Sequence, residues 1–418
     1  MPIVQKNNGK VKLQKSGEEK TAALHNLGCK VNAYETEALR ELLEAEGYRI
    51  VPFTEKADVY VVNTCTVTNI ADKKSRQMLR RARRCNPSAQ IVAAGCFVDT
   101  AKKDLVESGL CDIAIKNSEK NDLIRLLRRP AMHTRAFIKV QDGCEMYCAY
   151  CLIPYARGKS HSRDKAEILE EIRGLSENGF QEFILTGIHL SSYGKDTGDT
   201  LLSLIEDVDR IPGVRRIRLG SLEPRIITED FLRGLAGIKS FCPHFHLSLQ
   251  SGCEATLNRM NRHYTPDAYR KSCALLRAAY THPALTTDVI VGFPGETEEE
   301  FAETVSFLRE LSLYEIHVFP YSKRDGTRAA KMDAQVTEEV KKERSAVLLE
   351  LTAAQAKAFR AYYLGKEEEI LLEETELLDG TPCFTGYTKE YVKLAVAAEG
   401  REPNTLVRGV VGEELILL

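Results

Sequence analysis

The chain has 418 residues, 43% of them hydrophobic, with 58 Lys and Arg against 60 Asp and Glu and a formal net charge of −2. That length exceeds one ordinary core and suggests about two to four domains, while the near-neutral charge excludes a global attraction to phosphate, so a nucleic-acid partner would have to be held by local basic patches. No run of about 18 apolar residues is present to span a bilayer, and the first twenty residues lack the apolar stretch of a signal peptide. Twelve cysteines without an export signal point to a reducing, cytoplasmic setting and no membrane, where clustered thiols serve metal or redox chemistry.

Residues 1–20 alternate Lys, Gln, Asn and Glu and are expected to form a flexible leader. Three short apolar runs follow, each leading into a helical pattern, as in α/β units with a parallel sheet. Ala22 to Gly28 leads to Cys29, Asp58 to Thr64 to Cys65, and Gln90 to Gly95 to Cys96. Ligands of such sheets gather at the carboxyl ends of the strands. Three cysteines separated by 35 and 30 residues can therefore converge at one sheet edge. A single free cysteine is usually a small buried hydrophobe; the repeated placement argues for more. Residues 21–134 are thus expected as a doubly wound parallel-sheet domain.

From residue 135 to about 350 six further apolar runs, at 136–140, 183–186, 216–219, 245–249, 287–291 and 316–319, alternate with helical stretches and fit a partial (β/α)6 barrel. Chemistry on such barrels sits at the C-terminal ends of the strands. A charged, Ala-rich helical pattern near 337–366 precedes short β-type runs separated by Gly and Pro turns, so residues 351–418 are expected as a small antiparallel β-barrel.

Directly after the first barrel strand lies Gly143-Cys144-Glu145-Met146-Tyr147-Cys148-Ala149-Tyr150-Cys151. Iron–sulfur cubanes normally take four thiolates; a close-set trio can hold three irons and leave the fourth for a small molecule. A zinc ribbon needs two short Cys-x-x-Cys arms, and that pairing is absent. The spacing, with Tyr150 before the third cysteine, resembles the signature of the radical S-adenosylmethionine (SAM) superfamily. The resemblance implies that Cys144, Cys148 and Cys151 hold a [4Fe-4S] cluster, that SAM chelates its open iron, and that one electron cleaves SAM to a deoxyadenosyl radical.

Three upstream segments resemble the N-terminal signature of the methylthiotransferases: Gly28-Cys29-Lys30-Val31-Asn32 with Glu35 and Glu37, Asn63-Thr64-Cys65-Thr66-Val67-Thr68-Asn69 with Ala71, and Gly95-Cys96. Tyr321-Ser322-Lys323-Arg324-Asp325-Gly326-Thr327 and a tail resembling a TRAM domain extend the likeness over residues 24 to 418. The first two segments are most similar to the MtaB branch, which methylthiolates threonylcarbamoyladenosine beside the tRNA anticodon. The family resemblance implies a second [4Fe-4S] cluster on Cys29, Cys65 and Cys96 carrying the sulfur to be inserted. It also implies one SAM as methyl donor, a second as radical source acting at C2 of adenine, a flavodoxin- or ferredoxin-like electron donor, a sulfur source, and the tRNA anticodon stem-loop as substrate. Isopentenyladenosine in tRNA or a ribosomal protein is the alternative substrate. An iron–sulfur electron carrier or RNA-binding module without radical chemistry is the alternative of another class.

By the same resemblance Thr186 and Gly187, ending the second barrel strand, would meet the amino group of SAM, with Ser248 and Gln250 at its ribose or carboxylate and Gly292 beside adenine. Glu223 is a further polar contact. Ser248 and Gln250 serve equally well as structural caps, and Glu223 as a turn carboxylate. For RNA phosphate the candidates are Arg157, Lys159 and Arg163. The run Lys73, Lys74, Arg76, Arg80, Arg81, Arg83 and Arg84 reads equally as a solvated helical face. In the tail, Phe384, Tyr387, Lys389, Tyr391 and Lys393 suit either a nucleic-acid face or core packing. The other six cysteines read as structural.

Overall fold

A computed structural model describes residues 4–7, 10–13, 20–101, 104–124 and 134–418. They fall into two compact units: the described part of Met1–Ala131 with Gln141–His161 and Ser322–Ala330, and the described part of Met132–Val140 with Ser162–Tyr321 and Lys331–Leu418. Most of the expected leader lies outside the described residues; within it Val4–Asn7 and Lys10–Leu13 pair antiparallel.

The first unit is built on a five-stranded sheet, ordered Tyr48–Ile50, Lys20–Asn26, Val59–Thr64, Gln90–Gly95, Ile113–Ile115, with parallel pairing throughout. Side chains alternate between faces along a strand, and here both faces are apolar. Ala22, Val59, Val61, Val92 and Ala94 meet Leu39, Leu42 and Leu43 of helix Lys30–Ala45 on one side. Ala23, Tyr60, Val62, Ile91 and Ala93 meet Leu79 and Ala82 of helix Asn69–Cys85 on the other. The sheet is doubly wound, as expected. It has two more strands than the sequence reading provided, both three residues long and at the sheet edges.

In the second unit the strands Glu182–Gly187 and Arg216–Leu219 pair in parallel, as do His244–His246, Ala284–Val291 and Glu315–Pro320 in turn. Single parallel bridges, Ile217 to Phe241 and Leu222 to Leu247, join the two sets. With Arg135–Asp142 beside Glu182–Gly187, six strands follow one another in chain order, which is the expected half-barrel. Its core gathers Phe183, Leu185, Ile217, Phe245, Leu247, Val289 and Leu308.

The helix Glu338–Ala361 leads into an antiparallel sheet of Lys393–Ala397, Thr381–Tyr387, Glu367–Leu378 and Leu406–Val410. Two buried arginines seat this sheet on the barrel strands. Arg216 donates to the carbonyls of Tyr387 and Glu369, both at 2.6 Å. Arg218 donates to Thr388 O and Glu182 Oε1, also at 2.6 Å. Tyr391 stacks on His244 at 4.7 Å and on Tyr387 at 4.4 Å, Lys389 donates to Lys239 O and Lys393 pairs with Glu376. The aromatic and basic set of the tail is therefore engaged in packing and ion pairs, the second of its two readings.

Candidate cluster and substrate site

Cys29, Cys65 and Cys96 stand just past three neighbouring strand ends: Cys65 and Cys96 follow Val59–Thr64 and Gln90–Gly95 directly, and Cys29 follows Lys20–Asn26 by a two-residue turn. Helix Lys30–Ala45 and the short helix Cys96–Thr100 start at once from two of them. In the turn, Gly28 has φ +105, and a Cβ there would lie 2.9 Å from Cys65 Sγ, so a left-handed, side-chain-free residue lets the first strand end close on the second. Cys65 and Cys96 are buried; Cys29 reaches the surface but stands deep among protein atoms. Desolvation raises the Cys29 thiol, opposed by Arg157, and raises Cys65 to about 11, and the thiols repel one another as charges. The three thiols are thus near enough to feel one another's charge. A metal relieves that state, because the thiolate is the ligand form.

A buried polar network surrounds this group. Arg157, on helix Ile153–Arg157, donates through Nε to Cys96 Sγ at 3.2 Å. Its Nη1 lies 3.1 Å from Glu35 Oε1 and 3.0 Å from Asp142 Oδ1, and Nη2 donates to Asn32 Oδ1 at 2.7 Å. Burial pushes its pKa down, but Glu35, Cys96 and Asp142 outweigh burial and hold it well above the usual arginine value. Lys120 Nζ reaches the same Glu35 at 2.5 Å and Asn63 Oδ1 at 3.1 Å. Asn117 donates toward Cys96 Sγ at 3.7 Å and to Ala156 O at 3.2 Å.

Arg157 was expected at RNA phosphate, and the structure corrects this. Its side chain is 1% exposed and its donors are occupied by Glu35, Asp142, Asn32 and Cys96. A guanidinium so neutralised has no open edge for a phosphate. Arg163 is partly committed as well, to Lys139 O and Glu171, each at 2.8 Å. Lys159 is exposed.

The second cysteine trio belongs to the same unit. Its loop is pinned at both ends: Cys144 N donates to Gly158 O at 3.1 Å, and Cys151 N to Cys148 O at 3.0 Å. Gly143 has φ +71, and a Cβ there would meet Lys159 O at 1.9 Å. Cys144, Cys148 and Cys151 are all part-exposed, as is Tyr150, which suits thiols that keep one face toward a ligand. Each trio supplies three thiols, the donor type that an iron–sulfur cubane takes. The segment Ser322–Ala330 completes the unit. Arg324 donates to Thr66, pairs with Asp72 at 2.9 Å and donates to Asn69 at 3.0 Å, while Asn69 donates to Lys323 O at 2.8 Å. The Tyr321–Thr327 motif thus holds the loop that follows Cys65.

The proposed SAM-binding residues lie in the second unit at strand ends, apart from Tyr150. Thr186 is buried and Gly187 half-buried. Gln250 has φ +75; its N–H donates to Asp288 O and its carbonyl accepts from Ile290 N, so its backbone has a structural part in addition to any ligand contact. Gly292 N donates to Glu296 at 2.6 Å, and Ser248 is part-exposed. Glu223 is buried; burial pushes its pKa up, but nearby His189, 3.8 Å away, and the hydrogen-bonded Arg225 guanidinium prevail and bring it to about 2.

Glu35, Asn32 and Asn63 were visible in the sequence only as parts of short segments. Lys120, Asn117 and Asp142 gave no signal, since each acts through partners far away along the chain. On helix Asn69–Cys85, Ser75, Leu79 and Ala82 are buried while Lys73, Lys74, Arg80, Arg81 and Arg84 are exposed. Arg83 pairs with Asp112 at 2.6 Å.

Residues 21–115 match the family model described as uncharacterized protein family UPF0004, and residues 138–308 match the radical SAM superfamily. The chain is 40% identical over 404 residues to the threonylcarbamoyladenosine tRNA methylthiotransferase MtaB of Bacillus subtilis (strain 168), covering 90% of each chain. It is 34% identical to a tRNA-2-methylthio-N(6)-dimethylallyladenosine synthase of Acetivibrio thermocellus, covering 90% of this chain and 85% of that one. Among solved structures, the radical S-adenosylmethionine methyltransferase TsrM of Kitasatospora setae shares the fold with a TM-score of 0.56 at 16% identity, over 72% of this chain and 75% of that one.

Proposed function

Because the chain belongs to the radical SAM methylthiotransferases, in their threonylcarbamoyladenosine tRNA branch, we propose that it works with two [4Fe-4S] clusters and adds the methylthio group at C2 of threonylcarbamoyladenosine next to the anticodon. It is an enzyme that uses SAM and a [4Fe-4S] cluster. The observation that supports two clusters is the convergence of Cys29, Cys65 and Cys96 at adjacent strand ends, in the same unit as Cys144, Cys148 and Cys151. The bound clusters supply electron transfer to SAM and a site for the sulfur to be inserted.

The chain's own residues hold and insulate these groups. Arg157 places a fixed positive charge against Cys96, and a hydrogen bond to a cluster sulfur ligand tunes its potential. Glu35 and Asp142 keep that guanidinium oriented, and Lys120 balances Glu35. Thr186, Gly187, Glu223, Ser248, Gln250 and Gly292, with Tyr150, are the proposed contacts to SAM. Lys159 is the proposed phosphate contact nearest the cysteine loop, with Arg163 in a lesser part. The domain division proposed is 21–134, 135–350 and 351–418, the last a TRAM-like module. A cytoplasmic setting, a small electron-carrier protein and a separate sulfur source complete the reading; among the described residues no helix is long and apolar enough to cross a membrane.

Iron content tests the cluster count. The reconstituted chain should hold about eight irons, and replacing Cys144, Cys148 and Cys151 together should leave about four. Retention of all eight would contradict the assignment. Replacing Cys29, Cys65 and Cys96 should preserve SAM cleavage and abolish sulfur insertion, read by mass spectrometry of tRNA nucleosides.

A further inference from the structure

Along the fourth and fifth barrel strands Phe245, Leu247, Leu249, Leu285, Val289 and Val291 enter the core. By strand alternation His246, Ser248 and Asp288 take the opposite, inner face. Three ionisable groups meet there. His246 Nδ1 lies 2.9 Å from Thr286 Oγ1, which fixes the ring, and Nε2 lies 3.2 Å from Asp288 Oδ2. Asp288 stands directly opposite His317 in the parallel ladder, and the two imidazole rings are 5.5 Å apart at 33°. One ligand atom from each of the three lies within 4.8 Å of the other two. His317 is exposed, and the Asp288 side chain is 30% exposed. Ser248, a proposed SAM contact, sits one step further along the same face.

The inner wall at this depth is thus polar and accessible. A hydrocarbon substituent pressed against it would strip water from a carboxylate and two imidazoles and return no partner, at a cost of about 1–3 kcal/mol for each group left unsatisfied. A threonylcarbamoyl group is the opposite kind of ligand. It carries ureido N–H donors, a carbonyl, a hydroxyl and a carboxylate. A carboxylate side chain accepts from the N–H groups, and imidazole N–H groups donate to the anionic end. We propose that His246, Asp288 and His317 read the threonylcarbamoyl substituent of the substrate base, with His317 and Asp288 in contact and His246 held by Thr286 as their brace. The inference rests on the threonylcarbamoyladenosine reading and adds the residues that distinguish that substituent from an apolar one.

The test uses the holoprotein with both clusters reconstituted and anticodon stem-loops bearing threonylcarbamoyladenosine, dimethylallyladenosine or unmodified adenosine, with affinity and product formation measured on each. Wild-type protein should prefer the threonylcarbamoyl stem-loop. His317→Ala and Asp288→Asn should each lower that preference about tenfold or more, because sites built to hydrogen-bond a substrate discriminate strongly. The loss should fall on affinity for the threonylcarbamoyl stem-loop, with little change for the unmodified one, and His317→Gln should restore part of it. Variants that keep the wild-type preference would overturn this inference alone, whereas a wild type without preference would overturn the substrate reading and this inference with it. Stoichiometric zinc or another ion beyond the cluster iron, lost on substitution of His317, would also overturn it, since the three groups would then be metal ligands.

Discussion

Arg157 Nε rests 3.2 Å from Cys96 Sγ, across 61 residues of chain, with its other nitrogens held by Glu35, Asp142 and Asn32. A residue six positions beyond one cysteine trio thereby touches a cysteine of the other. Removing one partner of a buried ion pair leaves uncompensated charge, at about 3–5 kcal/mol. Arg157→Ala should therefore lower the denaturant midpoint of the apoprotein by a loss of that size, and Arg157→Lys, which keeps charge but not the fork, should lose less. In reconstituted protein Arg157→Lys should also shift the potential of one cluster only. An unfolding midpoint unchanged in Arg157→Ala would rule out the network as a structural support.

Arg324 makes a prediction of a different kind, because its partners are Thr66, in the turn after Cys65, and Asn69 and Asp72, in the first turn of the following helix. Hydrogen bonds to charged groups contribute about 1.5–3 kcal/mol. Arg324→Ala should speed hydrogen exchange in residues 66–72 while the barrel strands stay protected. Sulfur insertion should fall with it, and SAM cleavage should fall much less. Exchange in residues 66–72 and sulfur insertion both unchanged from wild type would show that the Tyr321–Thr327 motif does not hold this turn.

These two arginines also mark where sequence reasoning reached its limit. The strand ends bearing Cys29, Cys65 and Cys96 were legible because each cysteine closes an apolar run, and parallel sheets put such ends on one edge. The six barrel strands were legible for the same reason, even at Arg216–Leu219, whose arginines are buried against the C-terminal sheet. The strands Tyr48–Ile50 and Ile113–Ile115 were too short to show a period. Arg157 looked like a phosphate ligand because its surroundings in sequence are basic; its burial depends on Glu35, 122 residues away. His246, Asp288 and His317 come from three strands and share no local pattern.

Gly143 permits a close approach that no other residue would. With φ +71 and a Cβ position 1.9 Å from Lys159 O, Gly143→Ala has to push the start of the cysteine loop away from the Gly158–Lys159 turn. Strain of this kind costs about 1–3 kcal/mol, and the hydrogen bond from Cys144 N to Gly158 O would break with it. Deoxyadenosine formation should drop at least about tenfold, since a displacement near 1 Å can cost about a hundredfold in rate. Iron at the proposed second site, Cys29, Cys65 and Cys96, should remain. Wild-type SAM cleavage in Gly143→Ala would show that the loop tolerates displacement.

Glu223 carries a pH dependence whose sign follows from its depressed pKa. Burial alone would raise it, but His189 and Arg225 outweigh burial and bring it to about 2 from an ordinary 4.5. Above pH 4.5 the carboxylate is ionised in both folded and unfolded chains, so its full contribution is present, at most about 3 kcal/mol by linkage. As pH falls from 4.5 toward 2 the unfolded chain binds the proton first and that contribution is lost. Glu223→Gln removes the pairing at every pH. Its stability deficit relative to wild type should therefore be constant from pH 8 to about 5 and shrink below that, as read by denaturant midpoints on apoprotein. A deficit that grew on acidification would require a raised pKa for Glu223, and with it a protonated acid in place of the ion pair with Arg225.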